Sequence, residues 1–309
     1  MRLLPQNVVR TIYGWTGLTT VPAWERSEGE KPRHGAAIGI ALLLDEFDLA
    51  TMASYPSFEF DAYDEYLAAC EQTMRSMLQA GHRVRVGSFI PAEYAEYCQA
   101  EQLPPDSAAS RAHYAAAVCQ EDEPFPYSGE PIAELVASLA HRERLRTLSI
   151  RTMDLLDPLP YGAVLEAQEY AVDLLAWLST HVGSGPHVFT CHVSDGAHDP
   201  LELVAWLELR KNALTAIDTE IMALSLMLSF ARVVEAEGSI VMRSFTSRTD
   251  PDNGLAVKIV RGWAIVKGAL RPLTATEIMK ASRTDPHTGD PLPLEPAVEY
   301  ADSHEPFEL

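Results

Sequence analysis

The segment Ile221–Val234, IMALSLMLSFARVV, is apolar almost all the way round a helix. A helix with so little polar surface is stable only when buried on most sides, so the rest of the chain has to enclose it. Thr215 is placed to cap this helix, Asp218 suits its first turn, and Gly238 suits its stop. The flanking sequence supplies strands. HVFTCHV and LELVAWLEL are separated by a turn marked by Asp195, Gly196 and Pro200, which predicts an antiparallel hairpin. SIVMRSF and GLAVKIVRGWAIV follow the helix and bracket the turn DPDNG. Two further helices are expected upstream, from Ile132 to about Leu156 and from Ala163 to about Thr180. Thr274-Ala-Thr-Glu277 carries the spacing of a capping box.

The first part of the chain has a different rhythm. Ala36–Leu44 is a short bounded apolar run, predicted to be a central strand. Asp61 is positioned as the cap of the next element. From residue 62 to 80, Tyr63, Tyr66, Leu67, Cys70, Met74, Met77 and Leu78 fall on one helical face, and Gly81 suits the end. HRVRVGSF then alternates, with Val84 and Val86 opposite Arg83 and Arg85. Pro91 opens a short helix, and Asp106 is placed to cap another. Strand, helix and strand in this order predict a βαβ unit with a parallel pair.

EDEPFPYSGEP interrupts the pattern near residue 130. The expected organisation is an irregular arm over 1–35, an α/β lobe over 36–130, an α+β lobe over 131–282, and an acidic, Pro-rich, extended or disordered tail over 283–309. The fold class expected is α+β or α/β, with two mixed lobes, the second having strands around a buried helix.

MLQAGHRVRVGSFIPAEYAEYCQAEQLPPDSAASRAHYAA, through Phe89, Pro91, Glu93, Tyr94, Tyr97, Cys98, Ser110, Arg111 and Tyr114, resembles a family of uncharacterised actinobacterial proteins. RPLTATEIMKASRTDPHTGDPLPLEP is similar to the C-terminal end of the same proteins. The resemblance implies no activity and transfers no catalytic residue.

Carboxylates outnumber Lys and Arg by 44 to 24, a formal charge of −20. Such a surface repels phosphate backbones and anionic lipid, and attracts a basic partner. No stretch reaches the roughly 18 apolar residues of a membrane span. The N-terminus has a Pro and polar residues where an export signal carries its apolar run, so a cytoplasmic location is expected. Cys70, Cys98, Cys119 and Cys191 form no CxxC pair and are expected as free thiols.

Three constellations can carry chemistry. Asp45, Glu46 and Asp48 follow the first strand, with Glu59, Asp61 and Asp64 nearby. Carboxylates gathered at a strand end are what a hard cation needs, as in PIN- and NYN-type nucleases, and they are equally what a solvated strand end and a helix cap require. His187, Cys191, His192 and His198 are zinc-capable ligand types without a zinc spacing; His187 and Cys191 share a strand face that His192 does not. Arg142, Arg144, Arg146 and Arg151 form the densest basic stretch and are candidates for an anion or an acidic partner. P-loop, GxGxxG, GxSxG and HExxH motifs are absent. The expectation is a non-catalytic interaction or regulatory protein acting through its surface on a protein partner or on itself, without a cofactor, nucleic acid or membrane. The competing class is a metal-dependent hydrolase or nuclease using Asp45, Asp48 and Asp61.

Overall fold

A computed structural model describes residues 37–121, 124–181, 185–210, 213–215, 218–251, 254–282 and 296–303. The fold is α+β. Contacts divide the chain into two compact units, one ending at Ile132 and the other beginning at Ala133. The expected arm over 1–35 lies outside the described residues.

In the first unit, β1 (Ala37–Leu42) is followed by α1 (Glu46–Met52), α2 (Tyr63–Gln79) and β2 (Arg83–Ser88). Then come α3 (Pro91–Ala100), α4 (Ala108–Glu121) and β3 (Phe125–Tyr127). β1 and β2 pair in parallel, with Ile38 opposite Val84 and Leu42 opposite Ser88. The crossover contains two helices rather than one, because the DEFDLATM segment folds as α1. Strand order is β1-β2-β3, so β2 is central and β1, expected at the centre, lies at the edge among the described residues. β3 arises inside the EDEPFPYSGEP stretch, with Pro126 opposite Arg85 on an edge strand, where a missing N–H does least harm.

Gly39 and Gly87 let α4 sit directly on the parallel pair. A Cβ on Gly39 would stand 2.7 Å from the Cys119 Cβ, and one on Gly87 would stand 2.8 Å from Val118 Cγ1. The Cys119 thiol lies 3.4 Å from the Ile40 carbonyl and 3.7 Å from that of Arg85, so one small side chain touches both strands.

The second unit contains α5 (Ile132–Leu156), α6 (Tyr161–His181), β4 (Gly185–Ser194), β5 (Leu201–Arg210), β6 (Ala213–Thr215) and α7 (Asp218–Val233). It continues with β7 (Glu237–Thr249), β8 (Ala256–Val266), β9 (Ala269–Pro272), α8 (Ala275–Ser282) and β10 (Val298–Tyr300). The sheet runs β10-β8-β7-β4-β5-β6, with β9 also on β8. Its pairs are antiparallel except β10 with β8. Phe189, Cys191 and Val193 of β4, Leu201, Leu203 and Leu207 of β5, and Ile240 and Met242 of β7 point to one face. There they join Leu174, Leu175 and Leu178 of α6 and Leu224, Met227 and Leu228 of α7 in a single core. The apolar helix is thus enclosed, as its sequence requires.

Five expectations are corrected. Thr215 belongs to β6, and Gly238 belongs to β7. The helix stops because Glu235 adopts a left-handed conformation (φ 51°), letting the Ala236 N–H reach the Ala231 carbonyl at 2.9 Å. Asp61 caps nothing in α2; the N-cap is Ala62, which makes no side-chain bond. Asp106 lies too early for α4, and its Oδ1 accepts from the Ser57 N–H at 2.8 Å. The tail over 283–309 is not wholly extended or disordered: β10 pairs with β8, Asp302 Oδ1 accepts from the Ala275 N–H, and the Ser303 hydroxyl donates to the Gly262 carbonyl at 2.6 Å. The remaining tail residues, 283–295 and 304–309, lie outside the described residues.

The capping box at Thr274 forms as its spacing predicts: the Glu277 N–H donates to Thr274 Oγ1 (3.3 Å), and the Thr274 N–H donates to Glu277 Oε2 (2.8 Å).

Candidate functional site

The carboxylates after β1 are used by the backbone. Asp45 is the N-cap of α1, its Oδ1 accepting from the Asp48 N–H at 2.8 Å. Asp48 Oδ2 accepts in turn from the Leu44 N–H at 3.2 Å. The pair thus satisfies one orphan donor of the helix start and the N–H just before its cap. Asp61 is exposed and lies beyond the cap of another helix. Among the described residues no group of three His, Cys, Asp or Glu side chains is arranged to hold a metal ion.

The histidine-rich stretch disperses likewise. His187 is buried, with Nδ1 2.9 Å from the Ser244 hydroxyl across the β4–β7 pair. Cys191 lies on the same core face, where burial pushes its thiol up to about 12 and leaves it protonated. His192 points to the other face, and His198 is held by Asp195 at 2.7 Å in the hairpin turn. The Asp195 carboxyl is pulled down to about 2, chiefly by this His198 bond.

The arginines of α5 do not converge either. Arg146 makes a bidentate bond to Glu143, one turn away, at 2.7 and 3.0 Å. Arg144 Nε donates to the Ala140 carbonyl, and Arg151 donates to the Asp199 carbonyl at 2.5 Å. Arg142 is half-buried and engaged.

The residues that carried the family resemblance do converge. Phe89, Tyr94, Tyr97 and Tyr114 form one aromatic cluster at the start of α3 and along α4, with ring centroids 5.0–5.5 Å apart. The Tyr94 hydroxyl donates to the Pro105 carbonyl at 2.6 Å, and Tyr97 meets His113 Nδ1 at 2.6 Å. A second tyrosine pair anchors α2 to the end of β1: Tyr63 donates to the Leu43 carbonyl, and Tyr66 accepts from the Leu43 N–H, both at 3.0 Å. Burial, reinforced by the charges of Asp45 and Asp48, pushes Tyr63 up to about 12. Burial also raises Tyr66 and Tyr94.

Phenols whose folded pKa exceeds their unfolded value contribute stability fully below pH about 10 and lose it as pH rises through the folded value. The first unit is therefore expected to unfold in alkali in a window from about pH 10 upward. An absorbance titration followed alongside circular dichroism checks this. Phenolate appearing near pH 10 at every tyrosine with the dichroism intact would contradict it.

The sheet face away from α6 and α7 exposes apolar side chains on β5. Successive β5 residues alternate: Leu201, Leu203, Ala205 and Leu207 are buried, while Glu202, Val204, Trp206 and Glu208 are exposed. Trp206 is 56 % exposed and Val204 48 %. Trp206 stacks on Phe245 of β7 with ring centroids 6.2 Å apart and planes 13° from parallel. α8 covers this face over β8, where Ile278 lies against Gly262. The edge of β5 beyond β6 is closed by Glu220, whose Oε1 accepts from the Trp206 N–H at 3.2 Å and pairs with His141 Nε2 at 2.9 Å. The strand LELVAWLEL had advertised the two exposed apolar residues by its alternation. Their isolation in the fold depended on where α8 lands.

Residues 27–130 match a protein family described as a domain of unknown function (DUF8829). The span takes in β1 to β3, the aromatic cluster and the first stretch of the resemblance; the second stretch, in the C-terminal part, falls outside it. No curated protein and no solved structure matches the chain. No helix among the described residues is long and apolar enough to cross a membrane.

Proposed function

We propose that this chain is a non-catalytic interaction protein that docks a basic protein partner on the outer face of its seven-stranded sheet. The observation that supports the reading is the exposed Trp206, a residue type that anchors interfaces when covered, set beside exposed Val204 and stacked on Phe245. Glu202 and Glu208 flank the two apolar residues on the same strand face. An occupant matching this pattern presents an apolar knob rimmed by Lys or Arg. The net charge of −20 steers such a partner in and speeds encounter more than it adds affinity.

A photo-crosslinking amino acid at position 206 tests the proposal in cells, with position 161 (Tyr161 is 67 % exposed) as the control. The expected result is a discrete adduct with a basic protein, absent at position 161 and abolished by Val204→Glu. The same adducts at both positions would overturn the reading. An adduct with a second copy alone would replace it by self-association. The same charge is expected to keep the protein off nucleic acid: a gel-shift series at physiological salt should show no retardation of DNA or RNA, and tight retardation would refute this part.

A further inference from the structure

The first unit contains a cavity of about 280 Å³ along β1, between α2 and α4. Its walls are apolar: Leu43, Met52, Phe58 and Phe89, closed by the backbone of Gly39 and by Ala115. Two polar side chains reach it, Tyr66 and Cys70. Both are already committed: the Tyr66 oxygen accepts from the Leu43 N–H, the phenol and the Cys70 thiol bond each other, and burial raises both groups and keeps them neutral. The remaining lining residue of consequence is Arg111, the only charged one among the described residues. Its guanidinium lies 5.8 Å from the Phe58 ring centroid, with Nη1 donating to the Ser57 hydroxyl at 3.0 Å and Nη2 to the Ser57 carbonyl at 2.9 Å. A guanidinium has five N–H donors, and Ser57 takes two of them. Asp106 also holds this loop, accepting from the Ser57 N–H, and its carboxyl is lowered by its bonds to Ser57 and by the nearby Arg111 charge. The loop that carries Phe58 is thereby fixed, and the cation is aimed by a rigid frame rather than by its own flexible stem.

We infer that this cavity binds a small hydrophobic carboxylic acid, with its ring or short acyl chain against Leu43, Met52, Phe58 and Phe89 and its carboxylate on Arg111. Three features decide the class. Apolar walls with committed polar groups offer nothing to a polar ligand and would leave its donors unpaired. Arg111, the one cation among the described lining residues, favours an anion over a neutral group, and its planar fork suits a carboxylate. The volume lies just below the roughly 300–1,000 Å³ of drug-sized sites, so the ligand is a single ring or a short chain. The inference concerns the unit without the proposed docking face and stands independently of it.

Cys70 supplies a readout from inside the cavity. Cys98, Cys119 and Cys191 are buried, whereas Cys70 is partly accessible and lines the site. The experiment uses the full chain with benzoate and hexanoate as acid probes and benzamide and hexanol as neutral counterparts. Calorimetry measures binding, and the rate of Cys70 alkylation measures occupancy, with Cys70→Ser identifying the thiol. Both acids are expected to bind and to slow alkylation, at least about tenfold more tightly than the neutral probes, the size of one charge-assisted hydrogen bond. Arg111→Gln should erase that preference while the neutral probes still protect Cys70. Ala112→Phe, at a lining position on α4, should abolish protection by all four. Equal affinity for acids and neutral probes, or alkylation at an unchanged rate in saturating acid, would overturn the inference. An Arg111→Gln protein that keeps the acid preference would overturn it too, and the protection by benzamide and hexanol shows whether that variant has kept its fold.

Discussion

Leu224→Asp is expected to unfold the second unit or remove most of its stability. Leu224 is fully buried in α7, enclosed by the core that α6 and the sheet build around it. Truncating a buried leucine costs about 2–5 kcal/mol, and a carboxylate without a partner adds the cost of its own desolvation. The sum, about 5 kcal/mol or more, is comparable with the whole stability of an ordinary domain. Two comparisons isolate the cause. Leu224→Ala should lose only the truncation share. Arg232→Ala, on the exposed side of the same helix over the Tyr170 ring, should lose about 1 kcal/mol or less. Urea unfolding followed by circular dichroism provides the measurement, and a Leu224→Asp midpoint equal to that of the parent chain would refute the buried-helix account.

Gly238→Ala should also be strongly destabilising, although it adds one methyl group. Gly238 lies in β7 opposite Val193 of β4 and Ile265 of β8. A Cβ there would overlap the His192 carbonyl oxygen and stand 3.1 Å from the Val193 Cα. These are backbone atoms of the neighbouring strand, so no rotamer change relieves the overlap, and the β4–β7 ladder must open locally. The expected loss is about 3 kcal/mol, at the upper end of overpacking penalties. Gly162→Ala is the opposite case. It lies in α6 with nothing within 4 Å of the added methyl, and should stabilise by about 0.5–1 kcal/mol through the lower entropy of the unfolded chain. Opposite signs for the two Gly→Ala changes, read from the same unfolding curves, are the expected outcome. A neutral Gly238→Ala would mean that the strands pair more loosely there.

Gly238 also shows where sequence reasoning stops. Placed four residues after an apolar run, it has the look of a helix stop, and glycine chemistry supports that reading. The fold uses it instead for close strand approach, and gives the left-handed helix-ending position to Glu235. The β8–β9 hairpin is a similar case. Lys267 and Gly268 both have positive φ, 48° and 71°, as a two-residue hairpin turn requires. Only the glycine of that pair is marked in the sequence. Asp45 was legible in kind, since an acid after a strand suits either a cation or a cap. The choice depended on α1 starting at the next residue, so that Asp45 accepts from the Asp48 N–H and Asp48 from the Leu44 N–H just before the cap.

What the sequence determined by itself was whatever repeats along one element. The seven apolar positions of α2 all turn inward, the valines of β2 are buried between exposed arginines, and Ile221–Val234 is enclosed. Periods of two and 3.6 residues record which face must leave water, and that demand acts wherever the element ends up. What only the tertiary structure decided was which elements meet. Among the described residues β1 lies at an edge, because β3, from beyond two helices, takes the other side of β2. Val298–Tyr300 becomes a strand because β8 offers it an edge. Arg111 faces a cavity because Ser57, fifty-four positions earlier, accepts two of its hydrogen bonds. Such meetings depend on loop closure and on competition among many partners for the same surface, and neither leaves a periodic trace in the residues concerned.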